Sequence, residues 1–296
     1  MSFPLLHSAV NIMTPILFAA LGGLFTELAG TLNIALEGLL LTGAFAAAAG
    51  AYYTGSLAGG LAAGILATTA LSCLLSAVIL KLRANVFVAG LAVNLLAGGL
   101  SVVLSSRLFG KRGVVTLPDL QALPVLRLTS IPILADLFSG HSPYVYASLL
   151  LLALSALILY QTPFGFRLRS CVTNTGNADA LVSLGLRPGV YRFAAHLIAG
   201  FCCGIGGSSL SLGLGAFVPN ISAGKGWIAL VVIFLGHRKP LGLLGAAFIF
   251  GLAEAFSNYA QGIFHVSADF ILAIPNIFTL LALIGISIYK GRRERQ

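Results

Sequence analysis

The chain has 296 residues, of which 58% are hydrophobic and only 8% charged, with a mean hydropathy of +1.00. No water-soluble interior of this size absorbs so much apolar surface, which excludes a soluble globular domain and implies an all-α polytopic membrane protein. The net charge of +9 gathers beside hydrophobic stretches, as in cytoplasmic loops, and is no sign of nucleic-acid binding.

The short Met1–His7 lead is uncharged and carries no cleavable signal pattern, so the first span is expected to be retained. That span covers Ser8–Thr26 and is expected to break at Pro15. Leu32–Tyr53 follows, interrupted by Asn33 and Glu37. Leu57–Leu80 carries Gly60 and Gly64 in a small-xxx-small pattern suited to close helix contact. Val86–Ser106 carries Asn94, and Arg107–Ser142 is a polar, Pro-rich loop of mixed charge. Tyr144–Tyr160 is the fifth span.

Gln161–Tyr191 is the second long polar segment, flanked by Arg167, Arg169, Arg187 and Arg192. A short helix is expected inside it. Asn177 suits an N-cap, Asp179 suits the positive end of the helix dipole, and Gly185 and Pro188 stop the helix. Ala178, Leu181 and Val182 form a small apolar face, with Asp179 and Ser183 elsewhere. By itself such a helix reads either as a docking element for a soluble partner or as a loop helix lying on the membrane surface.

Phe193–Gly213 comes next, then a short apolar run, Trp227–Leu235, preceded by the Gly-rich stretch Gly213–Gly226. A run this short fits a discontinuous helix of the kind found at transport sites. Leu241–Gln261 and Phe270–Tyr289 complete the series before a basic tail, making about nine hydrophobic passes in a single transmembrane domain, 1–296. Placing Lys81/Arg83, the 161–191 loop, Arg238/Lys239 and the tail in the cytoplasm puts the N-terminus and the 107–142 loop outside.

An ionisable group within an apolar span faces a cavity or a partner. Asn33 and Glu37 lie four apart on one helical face, and Glu37 is the foremost pathway candidate. The alternative is that Glu37 accepts backbone hydrogen bonds and holds a broken helix together. Asn94 reads as interhelical glue or as a substrate contact. Glu27 reads as structural, and Glu254 as a helix–helix hydrogen bond. Phe217, Asn220 and Trp227 flank the Gly-rich break, where aromatic and amide groups suit a flat heterocycle, or serve as interface anchors. Ser208 and Ser209, with His196 and His265, raise an intramembrane serine-protease reading that nothing in the spacing supports. Cys73, Cys171, Cys202 and Cys203 have no metal-ligand spacing, and no phosphate-binding G-x-x-x-x-G-K-[ST] motif is present.

Four strings in this order resemble the permeases of nucleoside-type ABC importers, within the branched-chain amino acid and simple-sugar permease group. They are TELAGTLNIALEG (Thr26–Gly38), NVFVAGLAVNLLAGGL (Asn85–Leu100), TPFGFRLRSCVTNTGNADALVSLGL (Thr162–Leu186) and FVPNISAGKGWIALVVIFLGHRKPLG (Phe217–Gly242). The chain departs from the pattern at Leu28, where Arg is frequent, at Ala35, where Gly is frequent, at Cys171, and at Val231, where Ala is common. The resemblance implies a non-enzymatic, multi-pass permease of the bacterial inner membrane, surrounded by lipid and holding no cofactor of its own. It implies a second permease subunit as partner, a P-loop ATPase subunit that binds ATP and Mg, and an extracytoplasmic substrate-binding lipoprotein. Asn177, Ala178, Asp179, Leu181, Val182, Ser183 and Gly185 would form the coupling helix seated on the ATPase. The implied cargo is nucleoside-like or, as in some spirochaete relatives, riboflavin. Simple sugars are the alternative, and an ion-coupled secondary transporter is the rival outside the family.

Overall fold

In the computed structural model, which describes residues 4–110, 113–117, 140–172 and 181–263, apolar helices follow one another in chain order. They are α1 (Pro4–Leu28), α2 (Leu36–Thr54), α3 (Leu57–Leu80), α4 (Val86–Phe109), α5 (Pro143–Gln161), α6 (Pro163–Arg169), α7 (Pro188–Leu214), α8 (Lys225–Leu235) and α9 (Pro240–Ile263). Two short strands, β1 (Val115–Thr116) and β2 (Ala216–Phe217), complete the set. Among the described residues, six helices are long and apolar enough to cross a membrane: α1, α3, α4, α5, α7 and α9. The expected pass Phe270–Tyr289 and the basic tail lie outside the described residues.

Local chemistry sets the ends. Proline at the first turn opens α5, α6 and α7, where its missing N–H would have had no partner in any case. The Asn85 side chain caps α4 by accepting from the N–H groups of Phe87 and Val88. Left-handed Gly55, Gly110 and Gly215 end α2, α4 and α7. The expected break at Pro15 does not occur, and α1 runs straight through it. Tight packing of α1 against α7 and α9 holds the helix across the lost hydrogen bond.

The centre is formed by α1, α2, α3 and α7. Gly60 and Gly64 of α3 sit directly on α2, at Ala47, Ala51 and Gly43, which brings the two backbones into contact. By contrast α4 turns Leu91, Leu95, Leu100 and Val103 outward, as lipid-facing residues do.

The two ends of the bundle differ. At one, β1 pairs antiparallel with β2, Val115 opposite Phe217, so the loop after α4 closes over the end of α7. At the other, Arg192 donates to the carbonyls of Ala29 (3.3 Å) and Cys171 (2.6 Å). There Arg238 also pairs with Glu27 at 2.7 Å. Basic side chains gather at this end, the one the sequence leads one to expect on the cytoplasmic side.

Candidate functional site

The features that stand out converge on the first turn of α8. This helix has only 11 residues, about 16 Å of rise, so it starts well inside the bundle. A helix start there exposes backbone N–H groups where no water satisfies them. Glu37, at the start of α2, supplies the acceptors. Its Oε1 receives Ser222 Oγ at 2.5 Å and the Gly224 N–H at 2.9 Å, and its Oε2 receives the Gly226 N–H at 2.7 Å. A carboxylate also suits the positive end of a helix dipole. The backbones are so close that a Cβ on Gly226 would overlap the main chain of Glu37.

The start of α2 is capped in the same manner by a different helix. Asn94 Oδ1 accepts from the Gly38 N–H at 2.7 Å, and its Nδ2 donates to the Ile34 carbonyl at 2.9 Å. Asn94 stands eight residues into α4, about 12 Å from the first residue of that helix, so α2 also begins partway across the bundle. Buried Asn33 turns its Oδ1 back to the Ala35 N–H at 3.0 Å. Within this chain Glu37 and Asn94 therefore cap two helices that begin inside the bundle, bonding to backbone as the second reading of Glu37 and the interhelical reading of Asn94 had it.

The cavity lies on the other side of the same turn. It has a volume of about 620 Å³ and is lined from α1 by Asn11, Thr14 and Pro15, from α7 by Ser209 and Gly213, and from α5 by Tyr144. Two charged residues line it, Lys225 of α8 and Glu254 of α9, joined at 2.8 Å. Thr14 and Ser209 bond back to carbonyls of their own helices. Asn11 Oδ1 meets His141 Nδ1 at 3.2 Å at the rim, where the His141 ring stacks on His7.

None of Asn33, Glu37, Asn94, Phe217, Asn220 and Trp227 lines this cavity. Phe217 is wholly buried against Phe45, where it anchors the strand pair. Asn220 is exposed in a left-handed turn, and Trp227 is 42% exposed on the outside of α8. Glu254 does bond across helices, as expected, but to a lysine and at a cavity wall. Lys225 and Asn11 went unread in the sequence. The available signal was a lysine directly before an apolar run, together with a glutamate inside another. The protease reading fails among the described residues: Ser208 and Ser209 donate to the carbonyls of Gly204 and Gly206, and neither meets His196. His265 lies outside the described residues.

In the 161–191 loop, Asn177, Ala178 and Asp179 lie outside the described residues. The described part, 181–183, is helical and ends at left-handed Gly185. Leu181 is buried in the protein's own fold, whereas Val182 and Leu184 are 60% and 76% exposed. The expected apolar face is thus split, because Leu181 anchors the loop inward. Cys171, at its start, has its thiol pushed up by burial, with the Arg192 charge working against this. Among the described residues no group of three or more His, Cys, Asp or Glu side chains is placed to hold a metal ion.

Two helices whose first turns are capped from neighbouring helices, one of them only 11 residues long, beside a polar cavity in a multi-pass bundle, are the architecture of a transport protein. The family model described as "Branched-chain amino acid transport system / permease component" matches residues 5–286. The chain belongs to this permease family. The permease is 33% identical over 298 residues to the guanosine ABC transporter permease protein NupQ of Bacillus subtilis (strain 168), a match spanning 95% of this chain and 90% of the relative. It is 29% identical over 282 residues to the nucleoside ABC transporter permease protein NupC of Lactococcus lactis subsp. cremoris (strain MG1363), spanning 91% and 88%. A putative glucose ABC transporter permease protein, TsgC13 of Haloferax volcanii, is 28% identical over 261 residues, spanning 88% and 78%. No solved structure matches the chain. The permease is a multi-pass component of the bacterial inner membrane and, as a transport subunit, is not itself an enzyme.

Proposed function

We propose that this permease carries a nucleoside-like molecule into the cytoplasm as the transmembrane subunit of an ABC importer. ATP and Mg are bound by a separate P-loop ATPase, an extracytoplasmic lipoprotein delivers the substrate, and a second, similar permease completes the pathway. The observation that carries this reading is the cavity of about 620 Å³ beside the α8 start. Its size lies within the range of about 300–1,000 Å³ usual for small-molecule sites. Its wall mixes polar groups, among them Asn11, Tyr144, Lys225 and Glu254, with apolar surface, which suits a base with a sugar attached. The relatives NupQ and NupC, named for guanosine and nucleoside transport, support the same cargo.

The loop 161–191 is proposed to seat on the ATPase through the helix containing Asn177, Ala178, Asp179, Val182 and Ser183, ended by Gly185, with Leu184 beside it. Leu181 is its internal anchor. Exposed Val182 and Leu184 supply apolar contact, and Arg167, Arg169 and Arg187 supply charge for an acidic rim.

A simple-sugar cargo is the second reading, favoured by the similarity to TsgC13. The test is uptake of tritiated guanosine, glucose and riboflavin into cells expressing the complete importer, with and without an ATPase inactivated in its phosphate-binding loop. ATP-dependent guanosine entry is expected. Entry of glucose or riboflavin but not of guanosine, or entry that survives loss of the ATPase, overturns the proposal.

A further inference from the structure

The cavity wall presents an ammonium and a carboxylate side by side. Lys225 Nζ donates to Glu254 Oε1 at 2.8 Å, which leaves two of its three N–H donors unspent on that contact. Among the described residues Glu254 Oε2 receives no hydrogen bond, and its oxygens have further acceptor capacity. Both side chains remain partly open, 11% and 20% exposed, on the cavity side. Neighbouring Gly224 and Gly226 give their N–H groups to Glu37 on the opposite side, so the α8 start is fixed and Lys225 is held toward the cavity.

We propose that the Lys225–Glu254 pair reads the edge of the transported base, and that it selects an edge of two adjacent donors followed by an acceptor. This rests on the nucleoside reading above. A carboxylate beside an ammonium offers acceptor, acceptor, donor. A 2-amino-6-oxopurine complements all three: its amino group and ring N–H donate to the two carboxylate oxygens, and its oxo group accepts from the ammonium. A 6-oxopurine lacking the amino group makes two of these bonds. A 6-aminopurine makes two only by turning over, with its amino group on the carboxylate and its ring nitrogen on the ammonium. A hexose has no planar edge to match. Bonds to charged groups are the strong ones, and a site built to bond a group rejects ligands that lack it. The pair also remains satisfied when empty, because each charge then neutralises the other.

The experiment measures initial uptake of tritiated guanosine, inosine and adenosine at saturating concentration, in cells expressing the complete importer. Each variant is compared with wild type for each nucleoside, so selection by the binding protein cancels. Glu254→Gln replaces one acceptor by a donor opposite the 2-amino group. It is expected to lower the guanosine rate at least about tenfold more than the adenosine rate, the order of one charged hydrogen bond, with inosine between them. The exchanged pair, Lys225→Glu with Glu254→Lys, keeps an ion pair between α8 and α9 but reverses its order. It is expected to reach the membrane in normal amount without regaining the guanosine advantage. Equal loss of all three nucleosides in Glu254→Gln, or full recovery of all three in the exchanged pair, makes the pair structural only and overturns this inference while leaving nucleoside transport standing. Failure of wild type to move any of the three overturns both.

Discussion

Two glutamates meet the same turn of α8, from opposite sides and with opposite consequences. Glu37 takes a hydroxyl and two backbone N–H groups, and it lies between helix ends so close that one backbone position must be glycine. Glu254 takes a single ammonium and faces open space. The first is a joint and the second a working surface. A buried carboxylate whose acceptor sites are filled by backbone has little left to offer a substrate. One that is held by a single side chain can exchange partners.

The sharpest way to break the comparison is at the joint. Gly226→Val forces a side chain into the Glu37 main chain and should abolish folded protein. Glu37→Ala strands three donors, at about 1–3 kcal/mol each for a buried group left unpaired. Thermal stability in detergent, read by loss of the monodisperse peak, should show a loss of more than about 3 kcal/mol for Glu37→Ala. Near wild-type stability would mean that the joint is not held by this carboxylate.

Glu254→Ala should behave in the opposite way. The pair is largely buried, but the open cavity lets water reach the Lys225 ammonium left behind, so the loss of stability should stay below that of Glu37→Ala while transport falls steeply. Loss of protein in parallel with loss of uptake would erase the distinction between the two glutamates.

The 161–191 loop contains the same contrast on a smaller scale. Leu181→Asp buries an unpaired charge and should destabilise the loop itself. Val182→Asp and Leu184→Asp sit at exposed positions and should leave membrane abundance unchanged while lowering substrate-stimulated ATP hydrolysis several-fold. Stimulation that persists in both exposed variants would detach this surface from coupling. The smallest effect is expected at Arg238→Ala. Its partner Glu27 is largely buried, but Arg238 is half exposed, so the stability change should stay within about 1 kcal/mol. A larger shift in the detergent melt would make this pair part of the joint.

The sequence alone determined the class of the protein and most of its helices. Apolar stretches of span length, separated by Pro, Gly and basic residues, have few alternatives in lipid, where each backbone group must be paired within its own helix. It also determined that something breaks before Trp227, because the apolar run Trp227–Leu235 is too short to span and a glycine-rich stretch precedes it. What it left open was the partner of each polar side chain. Glu37 and Glu254 are both acids in apolar stretches, and no local pattern says which meets backbone and which meets a cavity. Nor does a local pattern tell that Leu181 turns inward while Val182, one residue on, turns out. Those assignments depend on contacts between residues as far apart as Glu37 and Gly226, or Lys225 and Glu254. Helix packing brings such residues together, and only the tertiary structure decides which face of a helix is filled and which is left open.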